Sequence, residues 1–303
     1  MGSYNLKDIK NQSGKLAIVT GANDGLGFET TKFFVSKEIE VVMACRNLDK
    51  ANTAMQAIKK KLPHAKLSII KLDLSSLDSV HNFVDSFNSK FDKLDLLVNN
   101  AGIMIPPFSL TEDGFESQMG VNYFSHFLLT NLLMDKLKGT PNSRVVSLSS
   151  IAHKSGKIDF DNINSKGKYN KVAAYSQSKL ACLIFSKELD RRVKKGNFSI
   201  LSVAAHPGVS TTNLFQFLPT WVKIISPIFE PLFSHSPEKA AQTIIVAALH
   251  DAISGGDYIG PSGFNEMKGK PGQAKSTELA NDKEVAKQLW SLSEQLTDNT
   301  FNI

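Results

Sequence analysis

Lys15-Leu16-Ala17-Ile18-Val19-Thr20-Gly21-Ala22-Asn23-Asp24-Gly25-Leu26-Gly27 is an apolar run that stops at a glycine turn and continues into Phe28 to Lys37. The run reads as a buried strand, and Phe33, Phe34 and Val35 behind the turn sit in a helical setting. Strand, glycine turn, helix is a unit with a chemical use. Glycines permit a tight turn and let a phosphate approach backbone N–H groups at a helix start, where the helix dipole also favours an anion. The spacing here is Gly-x-x-x-Gly-x-Gly, not the commoner Gly-x-Gly-x-x-Gly of dinucleotide sites. A sharp turn with nothing bound is the plainer alternative.

Outward from that turn the pattern repeats. Glu40 to Cys45 reads as a second strand, Lys66 to Leu72 as a third, Leu94 to Val98 as a fourth, Arg144 to Leu148 as a fifth and Phe198 to Ala204 as a sixth. Between them lie helical patterns at Ala51 to Leu62, Leu77 to Phe87, Phe115 to Leu133 and Tyr175 towards Val193. Ser236-Pro237 starts a helix running to about His250, Tyr258-Ile259-Gly260 reads as the last strand, and Asp282 to Leu296 as a peripheral helix. Alternating strands and helices without long linkers predict an α/β fold: one doubly wound parallel sheet, helices on both faces, a single domain over residues 1–303. Ligands in such sheets bind at the strands' carboxyl ends. There the second strand ends in Arg46, with no carboxylate at Cys45 or Arg46; an arginine accommodates a 2′-phosphate and predicts NADP rather than NAD. The third runs into Asp73-Leu74-Ser75, where Asp73 could accept a hydrogen bond from an adenine amino group or cap the helix beginning at Ser75 or Ser76. The fourth breaks at Asn99-Asn100-Ala101-Gly102, the fifth at Ser149-Ser150, and the sixth at His206-Pro207-Gly208, where the histidine reads as structural. Asn122, inside an apolar helical pattern, is out of place, because its amide competes with backbone hydrogen bonds.

Tyr175-Ser176-Gln177-Ser178-Lys179 places a phenol and an ammonium four positions apart, on one face of a helix. A fixed positive charge beside a phenol favours the phenolate, which could then exchange a proton with an alcohol or carbonyl near neutral pH. Of the five tyrosines only Tyr175 has a lysine four residues on. Taken alone, the pair reads first as an amphipathic helix with two neighbouring polar side chains.

In company the motifs are more specific. Thr20 to Gly27, Asn99-Asn100-Ala101-Gly102, Asn122, Ser149-Ser150, Tyr175 to Lys179 and His206-Pro207-Gly208 follow one another in the order of the short-chain dehydrogenase/reductase family. The chain resembles that family over roughly residues 15 to 265. Within it, Ala44-Cys45-Arg46, Gly120-Val121-Asn122 and Ser149 to His153 resemble the retinol-dehydrogenase-like branch. The resemblance implies a Rossmann-type fold, with Tyr175 as general acid in carbonyl reduction or base in alcohol oxidation. It implies that Lys179 holds the nicotinamide ribose and favours the phenolate, that Ser150 aligns the substrate oxygen with Ser149 as its rival, and that Asn122 anchors a water in a relay to Lys179. It places NADP(H), in preference to NAD(H), over Gly21, Asn23, Gly25, Leu26 and Gly27, with Arg46 at the 2′-phosphate and Asp73 and Leu74 near adenine. Asn99, Ala101 and Gly102 then contact ribose or backbone, and Pro207, Gly208, Val209 and Thr211 meet the nicotinamide end, beside Tyr175 and Lys179. Related chains often form homodimers through the helices that here carry Asn122 and Tyr175.

Composition narrows the remaining choices. With 303 residues, 42% hydrophobic, the chain can bury one large core or two modest ones. The net charge of +6 is carried by lysines scattered over helix faces, which argues against nucleic acid. Cys45 and Cys182 stand far apart in apolar segments and offer neither a disulfide framework nor a metal site. With no signal-peptide core and no span of about 18 apolar residues, cytoplasm is the expected location. The segment from about 212 to 235, rich in Phe, Trp, Leu and Pro, predicts a small lid over a bulky apolar aldehyde, ketone or alcohol, with shallow membrane contact as a second use. Two other readings fit the same motifs: a carbon–carbon double-bond reductase resembling protochlorophyllide reductase, and an NADP-binding scaffold without turnover.

Overall fold

The computed structural model describes residues 3–209, 236–301 and 303. Thr211 and the 212–235 segment lie outside the described residues.

Among the described residues eight strands form one sheet in the order β3-β2-β1-β4-β5-β6-β7-β8. They are β1 (Leu16–Thr20), β2 (Glu40–Cys45), β3 (Leu67–Lys71), β4 (Leu96–Asn99), β5 (Ser143–Leu148), β6 (Ile200–Ala205), β7 (Tyr258–Pro261) and β8 (Pro271–Gln273). Pairing is parallel through β7. Strand β8 then returns antiparallel along β7, an element the sequence reading did not anticipate: its Pro271-Gly272-Gln273 carries no strand signal. β1 lies between β2 and β4, so the chain reverses direction across the sheet there, and a crevice opens at the carboxyl ends of β1 and β4.

Both faces of the sheet are covered, as strands buried on both sides require. Leu16 and Ile18 join one core, Ala17 and Val19 the other. Helices α1 (Gly25–Ser36), α2 (Leu48–Lys61) and α8 (Pro237–Leu249) pack on the second core, through large side chains such as Phe34, Ile58 and Ile244 and small ones such as Ala51, Ala54, Ala241 and Ala247. On the first core lie α3 (Leu77–Asn88), a broken helix, α7 (Lys171–Lys195) and α9 (Lys283–Leu296), with Phe124, Phe127, Phe185 and Trp290.

The broken helix corrects the single helix expected from Phe115 to Leu133. It consists of α4 (Ser117–Met119), a π-helical segment Gly120–Phe124 and α5 (Ser125–Leu132), followed by α6 (Met134–Lys138). Asn122, the asparagine that fitted a regular helix poorly, lies at the centre of the π segment. Helix α7 begins a turn before Tyr175 because Asn170 Oδ1 accepts from the N–H groups of Val172 and Ala173. Helix α9 is not peripheral. Trp290 is buried against Phe127, Phe185 and Phe301, and Tyr123 Oη pairs with Ser293 Oγ at 2.8 Å, so the chain's own C-terminal segment covers the outer faces of α5 and α7.

Candidate active site

The glycine turn after β1 is shaped by backbone. Gly21 and Gly25 have φ of +66° and +53°, conformations that favour glycine. A Cβ on Gly27 would stand 2.2 Å from the carbonyl oxygen of Gly21, so the first turn of α1 lies directly on the loop. Leu26 is buried behind it, and Asp24 caps α1 by accepting from Gly25 N at 2.7 Å. Asp24 Oδ1 occupies Gly25 N–H, so a phosphate here would draw on the other N–H groups at the start of α1, where the helix dipole favours an anion. These residues fit the pyrophosphate of a dinucleotide.

Thr20 ties that turn to the end of β4. Its Oγ1 accepts from Asn100 N and Ala101 N, both at 2.9 Å, while Asn100 Nδ2 donates to Thr20 O at 2.7 Å. Asn99 is turned inward, with Nδ2 donating to Thr130 Oγ1 at 3.0 Å and its Oδ1 buried without a hydrogen-bond partner. Arg46 is exposed just past β2, and no carboxylate replaces it there. Asp73 does not cap α3. Its Oδ1 accepts from Ser75 N and Oγ, while Leu77 N is capped by Asp113 Oδ2, 36 residues away. Leu74 is buried, and its carbonyl accepts from Ser125 Oγ at 2.7 Å. On the other side of the crevice Pro207 and Gly208 follow β6, and Val209 N donates to Met267 O at 2.8 Å.

The second half of the site is built from side chains. Asn122 is 2% exposed and fully engaged: Oδ1 accepts from Ile103 N at 2.8 Å, and Nδ2 donates to Ile103 O and Ser178 Oγ. Ser178 Oγ in turn donates to Tyr175 O, so the π segment is clamped to the turn of α7 that carries Tyr175. Lys179 is 6% exposed; its Nζ donates to Leu148 O at 3.2 Å and lies 5.9 Å from the centroid of the Tyr175 ring. A Cβ on Gly102 would meet Asn122 Oδ1 at 3.0 Å and Lys179 Nζ at 3.4 Å, so these three residues share one small space. Tyr175, 7% exposed, stands at the edge of that group.

The two serines divide their tasks. Ser149 Oγ donates to Lys179 O at 2.8 Å and is buried, which ties β5 to α7. Ser150 is only half-buried; its Oγ accepts from Ala152 N at 3.2 Å, and its carbonyl accepts from His153 N and Nδ1. Ser150 keeps a hydroxyl proton to donate, whereas Ser149 has spent its own. His206, fully buried, packs its ring on Gly260, where a Cβ would lie 2.0 Å from Nε2. Burial pushes its pKa down, the nearby Glu266 opposing, and its Nδ1 accepts from Gly208 N; it shapes the Pro207-Gly208 turn from below.

Thr20, Ser178 and His126 were given no role by sequence reasoning, yet each holds a site element. For His126 the available signal was its place one helical turn after Asn122.

The arrangement of a doubly wound sheet, a glycine turn at its crevice and a Tyr–Lys pair opposite is that of a nicotinamide-dependent oxidoreductase. The family model for short chain dehydrogenases matches residues 15–223, and the chain belongs to the short-chain dehydrogenase/reductase family. It is 42% identical to retinol dehydrogenase 13 of Homo sapiens over 93% of this chain and 84% of that protein. It is 37% identical to a polyprenol dehydrogenase of Danio rerio, over 96% and 89%. Among solved structures, an uncharacterised protein from Mycobacterium paratuberculosis is 35% identical, with a TM-score of 0.83 and full coverage of both chains. The branch is therefore the retinol-dehydrogenase-like one.

Proposed function

We propose that this chain interconverts an apolar carbonyl compound and its alcohol with NADP(H). The observation that carries the reading is the clamp joining Asn122, Ser178, Tyr175 and Lys179, because a protein that merely bound a nucleotide would have no use for a buried ammonium held beside a phenol. Gly21, Asn23, Gly25, Leu26 and Gly27 would hold the pyrophosphate, Arg46 the 2′-phosphate, Asp73 and Leu74 the adenine, and Asn99, Ala101, Gly102, Pro207, Gly208, Val209 and Thr211 the ribose and nicotinamide. When bound, the nicotinamide supplies or accepts the hydride. Everything else falls to the chain's own residues. Ser150 donates to the substrate oxygen and fixes its position. Tyr175 Oη gives that oxygen a proton in reduction and takes one in oxidation. The Lys179 ammonium stabilises the phenolate left behind, in a space that Gly102 keeps small and Leu148 O helps to orient. The Asn122 clamp holds α7 in register with the π segment so that Tyr175 and Lys179 keep their spacing.

NADP is preferred in this reading because Arg46 offers a cation where a carboxylate would select the free ribose hydroxyl. The apolar substrate rests on the composition of the 212–235 segment and on relatives named for retinol and polyprenol, two apolar alcohols. The covering of α5 and α7 by α9 argues that any homodimer uses a different surface from those two helices. The test is consumption of NADPH and NADH in parallel with short and long apolar aldehydes and ketones, including retinal, for wild type and Tyr175→Phe. Turnover with NADPH that the variant loses supports the proposal. Tight NADPH binding with no turnover on carbonyls or on activated double bonds would replace it with the scaffold reading.

A further inference from the structure

His126 sits on α5, one turn past Asn122, and is 4% exposed. Its Nε2 lies 3.0 Å from Thr20 Oγ1, and its Nδ1 lies 3.1 Å from the backbone oxygen of Asn122. One imidazole therefore bridges the nucleotide turn and the π segment of the catalytic half.

The direction of the bridge follows from counting lone pairs and protons. A hydroxyl has two acceptor sites and one proton. Both acceptor sites of Thr20 Oγ1 are filled by Asn100 N and Ala101 N. Its proton must go outward, and of the two acceptors in reach His126 Nε2 at 3.0 Å is closer than Val98 O at 3.3 Å. A proton on Nε2 would point at an oxygen with no lone pair left, so Nε2 is bare and the single ring proton is on Nδ1, donated to Asn122 O. Full burial, opposed only in part by the Asn122 carbonyl, lowers the pKa of this histidine to about 4, which keeps the ring neutral and the assignment unique.

We infer that His126 is a positioning residue that couples nucleotide binding to catalysis, passing a hydrogen-bond chain from Thr20 O–H through its ring to the carbonyl of Asn122. A nucleotide seated on the Gly21 turn bears on Thr20; Thr20 bears on the ring; the ring sets the π segment whose side-chain clamp reaches Tyr175. Cys182 Sγ also lies at the Asn122 oxygen, at 3.2 Å, and as a weak donor it does not substitute for the imidazole.

The inference rests on the oxidoreductase reading for its catalytic arm only. Two variants separate the ends of the bridge. Asparagine at 126 can place its amide near Nδ1, keeping a donor for Asn122 and losing the acceptor for Thr20. Glutamine can reach the Nε2 position, keeping the acceptor and losing the donor. His126→Asn is expected to show the larger loss of NADPH affinity and His126→Gln the larger loss of kcat, each by about fivefold to tenfold, the worth of one buried neutral hydrogen bond. Losses of equal size in both constants for both variants mark a merely structural histidine and overturn the inference. Ring 15N shifts of His126 in wild type decide independently of activity and of whether the variants fold: a protonated Nδ1 with bare Nε2 upholds it, and the opposite tautomer ends it. If wild type turns over no substrate, the oxidoreductase reading fails, while NADPH affinity and ring tautomer still decide the bridge.

Discussion

The two sides of the crevice are built from different materials. On the nucleotide side, at the ends of β1 and β4, the shape is backbone: positive φ at Gly21 and Gly25, and α1 pressed so closely on the turn that Gly27 has no room for a Cβ. On the proposed catalytic side, between the π segment and α7, it is side chain: Asn122, Ser178 and Ser149 spend most of their hydrogen-bonding capacity on one another and on nearby backbone groups, and Lys179 gives one of its three N–H donors to Leu148 O. A phosphate needs room and N–H dipoles, which backbone supplies without rotamer entropy. Proton transfer needs particular atoms at particular places, which only locked side chains supply. Substitutions should therefore fail differently on the two sides, by blocking on the first and by silencing on the second.

Gly27→Val tests the blocking side and should have the largest effect. Its Cβ would lie 2.2 Å from a backbone oxygen with no flexible neighbour to give way, so NADPH binding by calorimetry should vanish and the melting temperature fall. Retained binding would break the comparison. Tyr175→Phe tests the silencing side. It removes only a hydroxyl, so NADPH affinity and melting temperature should hold while kcat drops by about 10² to 10⁴, the usual worth of general acid–base catalysis. Trp290→Ala acts from behind. Emptying the aromatic cluster over α5 and α7 should cost about 3–5 kcal/mol in denaturant unfolding, and what remains folded should lose kcat before NADPH affinity.

A gentler probe is pH. His126, His153 and His206 are all buried, and burial lowers the pKa of each. A histidine whose folded pKa lies below its unfolded value near 6.5 binds its proton first in the unfolded chain, so stability falls as pH drops below about 6.5. For His126 the fall ends near its folded value of about 4. Denaturant unfolding should thus weaken between pH 6.5 and 4 by up to about 1.4 kcal/mol per pH unit for each histidine that titrates in full. Flat stability across that window would mean that the rings lie in water.

The same contrast decides what could be read from the sequence. The strand, glycine turn and helix of the proposed nucleotide side were legible because their information is local: glycine spacing, an apolar run, and a second strand that stops before Arg46. The residues proposed as catalytic stood out as a motif series, and Asn122 as a poor helix residue, but the π segment that accommodates it did not, since a one-residue widening leaves the apolar pattern nearly intact. Long-range polar contacts were invisible. Asp113 caps α3 from 36 residues away, displacing Asp73 from that role, and His126 meets Thr20 across 106 residues. The burial of α9 was missed because a helix with one apolar stripe looks the same whether it lies on a surface or over Phe127 and Phe185.

Arg46 gives the smallest effect and the sharpest one, because in the proposed function it is the side chain on the nucleotide side that discriminates. It is exposed, so its contribution is that of a charge-assisted hydrogen bond in contact with water, about 1.5 kcal/mol, or roughly tenfold in affinity. Arg46→Ala should weaken NADPH by about that factor and leave NADH nearly as it was, with kcat on saturating cofactor little changed, because the residue touches neither the clamp nor the Tyr175 ring. Arg46→Asp should go further and favour NADH, by presenting a carboxylate to the free ribose hydroxyl and repelling a 2′-phosphate. If instead both cofactors weaken together, Arg46 shapes the turn rather than reading the ribose, and the nucleotide side is backbone throughout.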